Sequence, residues 1–120
     1  MASHNELGFW GEQTAADYLT TKGYRILQRN WRCGRRDIDI VATDFTTLVI
    51  VEVKTRRDNS FTEPETAVDR QKIRSLAIAA NAFVKQMQTD MPLRFDIITI
   101  SGTPDTSCRI NHIKDAFIPY

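Results

Sequence analysis

Four residues stand out by type and spacing. Asp39 lies in Asp-Ile-Asp-Ile-Val, residues 37–41, and Glu52 and Lys54 close the run Leu-Val-Ile-Val-Glu-Val-Lys, residues 48–54. Glu12 sits among glycines and alanines near the N-terminus. Alternation along a strand puts residues two apart on one face. Glu52 and Lys54 therefore share a side, as do Asp37 and Asp39, while Val49, Val51 and Val53 face the other way. If Thr43 pairs with Leu48, Asp39 falls opposite Glu52 and Asp37 opposite Lys54, with partner Cβ atoms about 5 Å apart. Two carboxylates that close repel unless a cation lies between them or one keeps a proton. Hard oxygen donors suit Mg²⁺ (or Mn²⁺), which takes one or two carboxylates and completes its shell with water and substrate phosphate. A neighbouring ammonium can stabilise charge on the attacked phosphate. The metal lowers the pKa of its bound water and polarises a phosphoryl oxygen. Metal-assisted phosphodiester hydrolysis is the reaction class these parts serve.

A plainer reading treats the same charges as surface ion pairs, each contributing about 0–1 kcal/mol. Two features weigh against it. The flanking residues are almost wholly aliphatic, as in a central strand, and Glu12 lies on a helix face of small residues that invites close packing.

The elements that must position these groups follow from periodicity and punctuation. A first helix is expected from about Asn5 to Lys22, capped by Asn5 and ended by Gly23. Leu7, Trp10, Ala15, Tyr18 and Leu19 give it apolar surface, and Gly8, Gly11, Ala15, Ala16 and Leu19 form a second stripe that contains Glu12. Strands are expected at Tyr24–Trp31, Asp37–Thr43 and Leu48–Arg56. Arg32–Arg36 reads as a basic loop and residues 44–47 as a four-residue hairpin loop. Arg57–Glu65 reads as a mobile polar loop. Ile73, Leu76, Ala77, Ala80, Phe83, Val84 and Met87 keep a helical period within Asp69–Gln88, with Asp69 as cap. Strands at Arg94–Ser101 and Arg109–Ile113 flank a turn at Gly102–Ser107. The expected class is α/β, a mixed sheet of about five strands with helices packed on it.

The bulk properties bound the answer. The chain has 120 residues, 42% hydrophobic and 26% charged, which suits a single globular domain over residues 1–120. The net charge of +1 does not discriminate between classes of partner. Its distribution is more informative: Lys22, Arg25, Arg29, Arg32, Arg35 and Arg36 come without an intervening acid. Such a stretch beside an acidic pair can bind phosphate; it can equally be a solvated strand edge. Arg35 and Arg36 are the nucleic-acid-binding candidates from this stretch. Cys33 and Cys108 have no CxxC spacing and read as reduced thiols of a cytoplasmic protein. No apolar run nears the roughly 20 residues of a membrane span, and no signal-peptide pattern opens the chain.

Taken together, Asp39 followed by Glu52-Val53-Lys54 resembles the PD-(D/E)xK phosphodiesterase superfamily, whose fold is restriction-endonuclease-like. More closely, the chain resembles the YraN-like family of predicted endonucleases. The matching residues are Gly8-x-x-Gly11-Glu12-x-x-Ala15, Gly23-Tyr24-x-Ile26-Leu27 with Asn30, Asp37-Ile38-Asp39-Ile40-Val41-Ala42, Val51-Glu52-Val53-Lys54-x-Arg56, Ala67-Val68 with Lys72, Arg94-Phe95-Asp96, and His112-Ile113 with Ala116-Phe117. The resemblance implies that Asp39 and Glu52 ligate metal and that Lys54 is the catalytic lysine. By likeness to archaeal Holliday-junction resolvases, Glu12 joins them as an additional ligand or as a residue just behind the ligands. It also implies phosphate contacts for Arg56 and Lys72, although a lysine on a solvated helix face is the simpler reading of Lys72. Two departures stand out. Ile38 replaces the motif proline, and Asp37 replaces a usual Glu, whose shorter side chain argues against a direct role.

The expected partner is nucleic acid, DNA in particular, branched or otherwise structured. A homodimer would cover the exposed sheet and the aromatics Trp10, Trp31, Phe61 and Phe117. The competing reading is a catalytically silent nucleic-acid-binding or interaction module that keeps the nuclease fold. Arg94 and Asp96 are close enough in sequence to pair with each other alone, and a lone His112 reads as a packed residue.

Overall fold

The computed structural model describes residues 3–57 and 69–118. The element order is α1 (His4–Thr21), β1 (Arg25–Cys33), β2 (Arg36–Asp44), β3 (Thr47–Arg56), α2 (Arg70–Met87), β4 (Leu93–Ser101) and β5 (Arg109–Ile113). All five strands form one sheet in sequence order. β3 and β4 are parallel and the other neighbours antiparallel. A parallel pair needs a crossing connection, and α2 lies within it. The result is a mixed α/β fold compatible with a restriction-endonuclease-like core.

The helices cover opposite faces. Leu76, Ala79, Ala80 and Phe83 of α2 pack with Ile38, Val41, Leu48, Ile50, Phe95 and Ile97. Ala15, Ala16 and Leu19 of α1 pack with Ile40, Ala42, Val49, Val51, Ile98 and Ile100. β3 is therefore buried on both sides, which explains its unbroken aliphatic run. α1 can approach closely because position 11 has no side chain: a Cβ on Gly11 would overlap Thr55 Oγ1 on β3. The small-residue stripe thus has the packing role expected of it.

Several boundaries differ from expectation, each for a local reason. Ser3, not Asn5, caps α1, accepting from Glu6 N at 3.1 Å. Asp69 caps α2 as expected, accepting from Lys72 N at 2.9 Å. The basic loop at Arg32–Arg36 contracts to Gly34 and Arg35, because Arg32 pairs with Asp37 and Cys33 with Arg36. Gly34 supplies the positive φ of 62° that so tight a turn requires. The next turn also tightens, to Phe45 and Thr46, since Asp44 pairs with Thr47. Phe45 takes a positive φ of 56° there.

The expected loop at Arg57–Glu65 lies, beyond Arg57, outside the described residues, as do Ala67, Val68 and Phe61. The other three aromatics invoked for a homodimer pack within the chain. Trp10 lies against the α1-side core. Trp31 meets Phe83 edge-on at 5.2 Å, and Phe117 stacks on Phe95 at the same distance. They therefore give no reason to expect a second copy. No helix among the described residues is long and apolar enough to cross a membrane.

Candidate metal and nucleic-acid site

The decisive local event is where β2 stops pairing with β3. The ladder runs from Asp44–Thr47 through Thr43–Leu48 to Ile40–Val51. Thr43 thus pairs with Leu48 as expected, but the ladder does not continue to Asp39–Glu52 and Asp37–Lys54. One more hydrogen-bonded step would bring the Val53 N–H to the Ile38 carbonyl. Instead the Val53 N–H donates to Asp39 Oδ2 at 2.8 Å. Side-chain alternation breaks at the same point, with Ile38 in the α2-side core and Ile40 in the α1-side core. On β1, Asn30 takes a positive φ of 51° between the pairs Arg29–Ile40 and Trp31–Ile38. Asp39 consequently sits where β2 changes face, rather than beside Asp37 in a regular row.

Asp39 still meets Glu52. The two carboxyl groups share a hydrogen bond, and each perturbs the other's titration. Glu52 is buried to 4% exposure on β3. Burial chiefly, then the charge of Asp39, pushes its pKa up to about 8, against the opposing pull of Lys72 and Lys54. Burial also raises Asp39, offset by the bonds it accepts from Val53 and Glu52. Burial and mutual repulsion thus favour a proton on the pair as a whole, one of the two ways close carboxyls can coexist.

Two lysines border the pair. Lys72, in the first turn of α2, brings Nζ to 3.7 Å from Glu52 Oε2. Lys54 lies two residues after Glu52 on the same strand face. Lys54, Asp69, Gln71, Lys72 and Ser75 line an open cleft of about 430 Å³ at the α2 N-terminus. Sequence grounds favour a solvated Lys72; the structure instead brings it to an acid.

Glu12 approaches from the α1 side, where Leu7, Gly8, Glu12, Val53 and Thr55 line a smaller cleft of about 230 Å³. Its pKa is raised, first by burial and next by the charge of Asp39, while Arg29 and an Asn30 hydrogen bond oppose the shift. Arg29 Nη2 lies 4.0 Å from Glu12 Oε1, too far for a hydrogen bond. Glu12 Oε1 and Glu52 Oε1 are both buried with no hydrogen-bond partner. Arg29 and Asn30 are the contributors that the sequence did not single out; Asn30 appeared only as a matching residue, and Arg29 only as one of a basic run.

The expected cluster on one sheet face is thus divided. Glu52, Lys54 and Lys72 lie on the α2 side, Glu12 on the α1 side, and Asp39 between them. Among the described residues no group of three or more acids, histidines or cysteines is arranged to hold a metal ion. The donor set that remains, Asp39 and Glu52 with one orphaned carboxylate oxygen on Glu52 and another on Glu12, fits a hard divalent cation in kind. Arg35 and Arg36 are exposed at the β1–β2 turn, and Arg56 ends β3.

A second polar cluster lies on the α1 side. Arg94 grips Asp96 with two bonds of 2.9 Å, reaches Asp44 at 2.9 Å and donates to Tyr24 OH at 2.6 Å. Asp96, fully buried, also accepts from Asp115 N at 3.0 Å and bonds His112 Nε2 at 2.8 Å. His112 Nδ1 meets Tyr18 OH at 3.1 Å. Every oxygen of Asp96 is satisfied, so the pairing expected of Arg94 and Asp96, and the packed role expected of His112, are parts of one closed network.

Residues 11–100 match the model of the uncharacterised protein family UPF0102. The chain belongs to that family. A UPF0102 protein of Bacteroides thetaiotaomicron is 53% identical over 119 residues, covering 99% of this chain and 98% of the relative. Another, from Phocaeicola vulgatus, is 48% identical with the same coverage. A third, from Porphyromonas gingivalis, is 44% identical over 98% of this chain and 87% of its own length. Membership of UPF0102 therefore extends over nearly the whole chain, and the resemblance drawn from the motifs leads to this same YraN-like family.

Proposed function

We propose that this UPF0102 protein is a metal-dependent endonuclease that hydrolyses phosphodiester bonds of DNA, branched or structured DNA in particular. The observation that carries the reading is the buried Asp39–Glu52 pair, with Lys72 at 3.7 Å and one Glu52 oxygen unpartnered. Such an arrangement destabilises the protein unless a ligand makes use of it. Asp39 and Glu52 would hold the cation, with Glu12 behind Asp39. Mg²⁺ or Mn²⁺, when bound, would supply an activated water and a polarised phosphoryl oxygen.

The chain's own groups have separable roles. The Val53 N–H fixes the orientation of Asp39. Lys54 is placed to stabilise charge on the attacked phosphate, and Lys72 holds Glu52 in place. Arg35, Arg36 and Arg56 bear on the nucleic-acid backbone. A second reading, a silent nucleic-acid-binding module, is favoured by one observation: Lys72 already offsets Glu52 at 3.7 Å. The orphaned oxygens of Glu12 and Glu52 tell against it, because a self-sufficient ion-pair network leaves no buried acceptor unused.

The test is cleavage of linear, flapped and four-way-junction DNA with Mg²⁺ or Mn²⁺ and with chelator. Structure-preferring cleavage is expected, abolished in Asp39→Ala and Lys54→Ala. Salt-sensitive junction binding without cleavage would establish the silent module instead. Sedimentation of protein alone and with junction DNA tests whether two copies assemble on it.

A further inference from the structure

A second open cleft lies away from the acidic pair. It lies at the far end of β3 and β4, has a volume of about 450 Å³, and is lined by Arg57, Ser101, Thr106, Ser107 and Arg109, with Gly102 and Cys108. Among the described residues that line it, two carry guanidinium groups, three carry hydroxyls and none is acidic. Its floor is held in shape. Gly102 donates to the Arg56 carbonyl at 2.8 Å, and the Thr106 N–H donates to the Thr103 carbonyl at 3.1 Å. Thr103 N donates in turn to Thr106 Oγ1 at 3.1 Å. Gly102 has φ 126°, and a Cβ there would stand 2.9 Å from the Ser107 carbonyl, so only glycine lets this turn close on the end of β3.

The register connects this cleft to the acidic pair. Ile50 faces the α2 side, so Glu52, Lys54 and Arg56 follow it on that face. Ile97 faces the same side while Ile98 and Ile100 face the other, so Thr99 and Ser101 follow Ile97. Lys54, Thr99 and Asn111 form one row across three strands, and Arg56, Ser101 and Arg109 the next. Both rows are polar, directly after a row of Glu52, Ile97 and Ile113. Thr99 Oγ1, within this platform, is buried with no partner.

We propose that the Arg57–Arg109 cleft is a phosphate subsite, filled by a backbone phosphate of a nucleic-acid strand that runs over this polar platform from the Asp39–Glu52 end. Planar guanidinium groups flanked by hydroxyls suit a phosphate's oxygens in number and charge. The direction of the strand rests on the nuclease reading; the subsite itself does not.

The experiment measures binding of a short labelled DNA duplex by anisotropy, in chelator, over a series of salt concentrations. Arg57→Gln/Arg109→Gln is expected to weaken binding and lower the slope of log K against log salt by about one, for the single phosphate the two guanidinium groups would share. Arg57→Lys/Arg109→Lys should restore most of the slope. Ser107→Glu, which adds a charge and removes no guanidinium, should weaken binding in the same salt-dependent way and guards against a misfolded double variant. Titration with inorganic phosphate separates a free anion from a strand. If phosphate binds in the cleft but the duplex slope is unchanged in all variants, the strand assignment is overturned. A wild type that binds no duplex overturns it as well. Lost duplex binding in a protein that never cleaves DNA would support the subsite and sink the nuclease reading. Cleavage and duplex binding both untouched by these variants would do the reverse.

Discussion

The protein buries two carboxylate clusters and treats them in opposite ways. Asp96 is saturated: Arg94, His112 and the Asp115 amide occupy both its oxygens. Burial would raise its pKa, but those hydrogen bonds outweigh burial and hold it below the usual carboxylate range. Glu52 is equally buried yet lacks such donors, and burial with the nearby Asp39 charge drives it up to about 8. One oxygen of Glu52 and one of Glu12 have no partner. Folding completes the first cluster and leaves the second incomplete. The same carboxyl group therefore serves cohesion on the α1 side and is left with an unused acceptor beside Asp39.

The comparison breaks most sharply at Arg94. Arg94→Ala leaves Asp96 and Asp44 without their shared cation, and a stability loss of about 3–5 kcal/mol is expected by denaturant unfolding. Glu52→Gln should instead leave stability unchanged or raise it at neutral pH and above. Equal losses in the two variants would erase the distinction between the clusters.

Titration should separate them next. Glu52 has a folded pKa above its unfolded value, so its stabilising contribution is complete below about pH 4.5 and is lost as pH rises toward about 8. The slope should approach about 1.4 kcal/mol per pH unit within that window. Asp96 has a depressed folded pKa, so its contribution is present above pH 3.8 and is lost as the solution becomes more acid. Urea midpoints against pH should therefore fall at both ends, and Glu52→Gln should flatten only the alkaline side.

A ligand sharpens the contrast further. Mn²⁺ at about 100 times its dissociation constant should add about 2.7 kcal/mol to unfolding and suppress the alkaline decline. Asp39→Asn should abolish the effect, whereas His112→Gln should leave it intact. The smallest expected change is at Arg29. At 4.0 Å from Glu12 it is a loose partner, and Arg29→Gln should cost under about 1 kcal/mol.

Much of this is legible in the residues. The aliphatic run of β3, the period of α2 and the Thr43–Leu48 pairing follow from alternation and spacing. So does the meeting of Asp39 with Glu52. The division of the site between two faces does not, because strict alternation carries a strand straight through Asp39. The change of face depends on a side-chain oxygen replacing a main-chain acceptor at Val53, and on Asn30 turning to positive φ on the neighbouring strand. Neither event leaves a periodic trace. The tight turns at Gly34 and Phe45 read as longer loops because charged and polar residues at strand ends resemble loop residues. The Asp96 network joins residues from four elements and two connecting segments, from Tyr18 to Asp115, and only its Arg94–Asp96 pair is local in sequence.

The contact of Gly11 with Thr55 carries a consequence for how this chain can change. Positions 11 and 55 form a single steric choice, since a methyl group at the first has room only if the second gives up its side chain. Glu12 is the next residue along the helix, so the same choice sets how deeply that acid reaches toward Asp39. A redesign that thickens the helix face by one carbon would retune the electrostatics of the acidic pair without altering any charged residue.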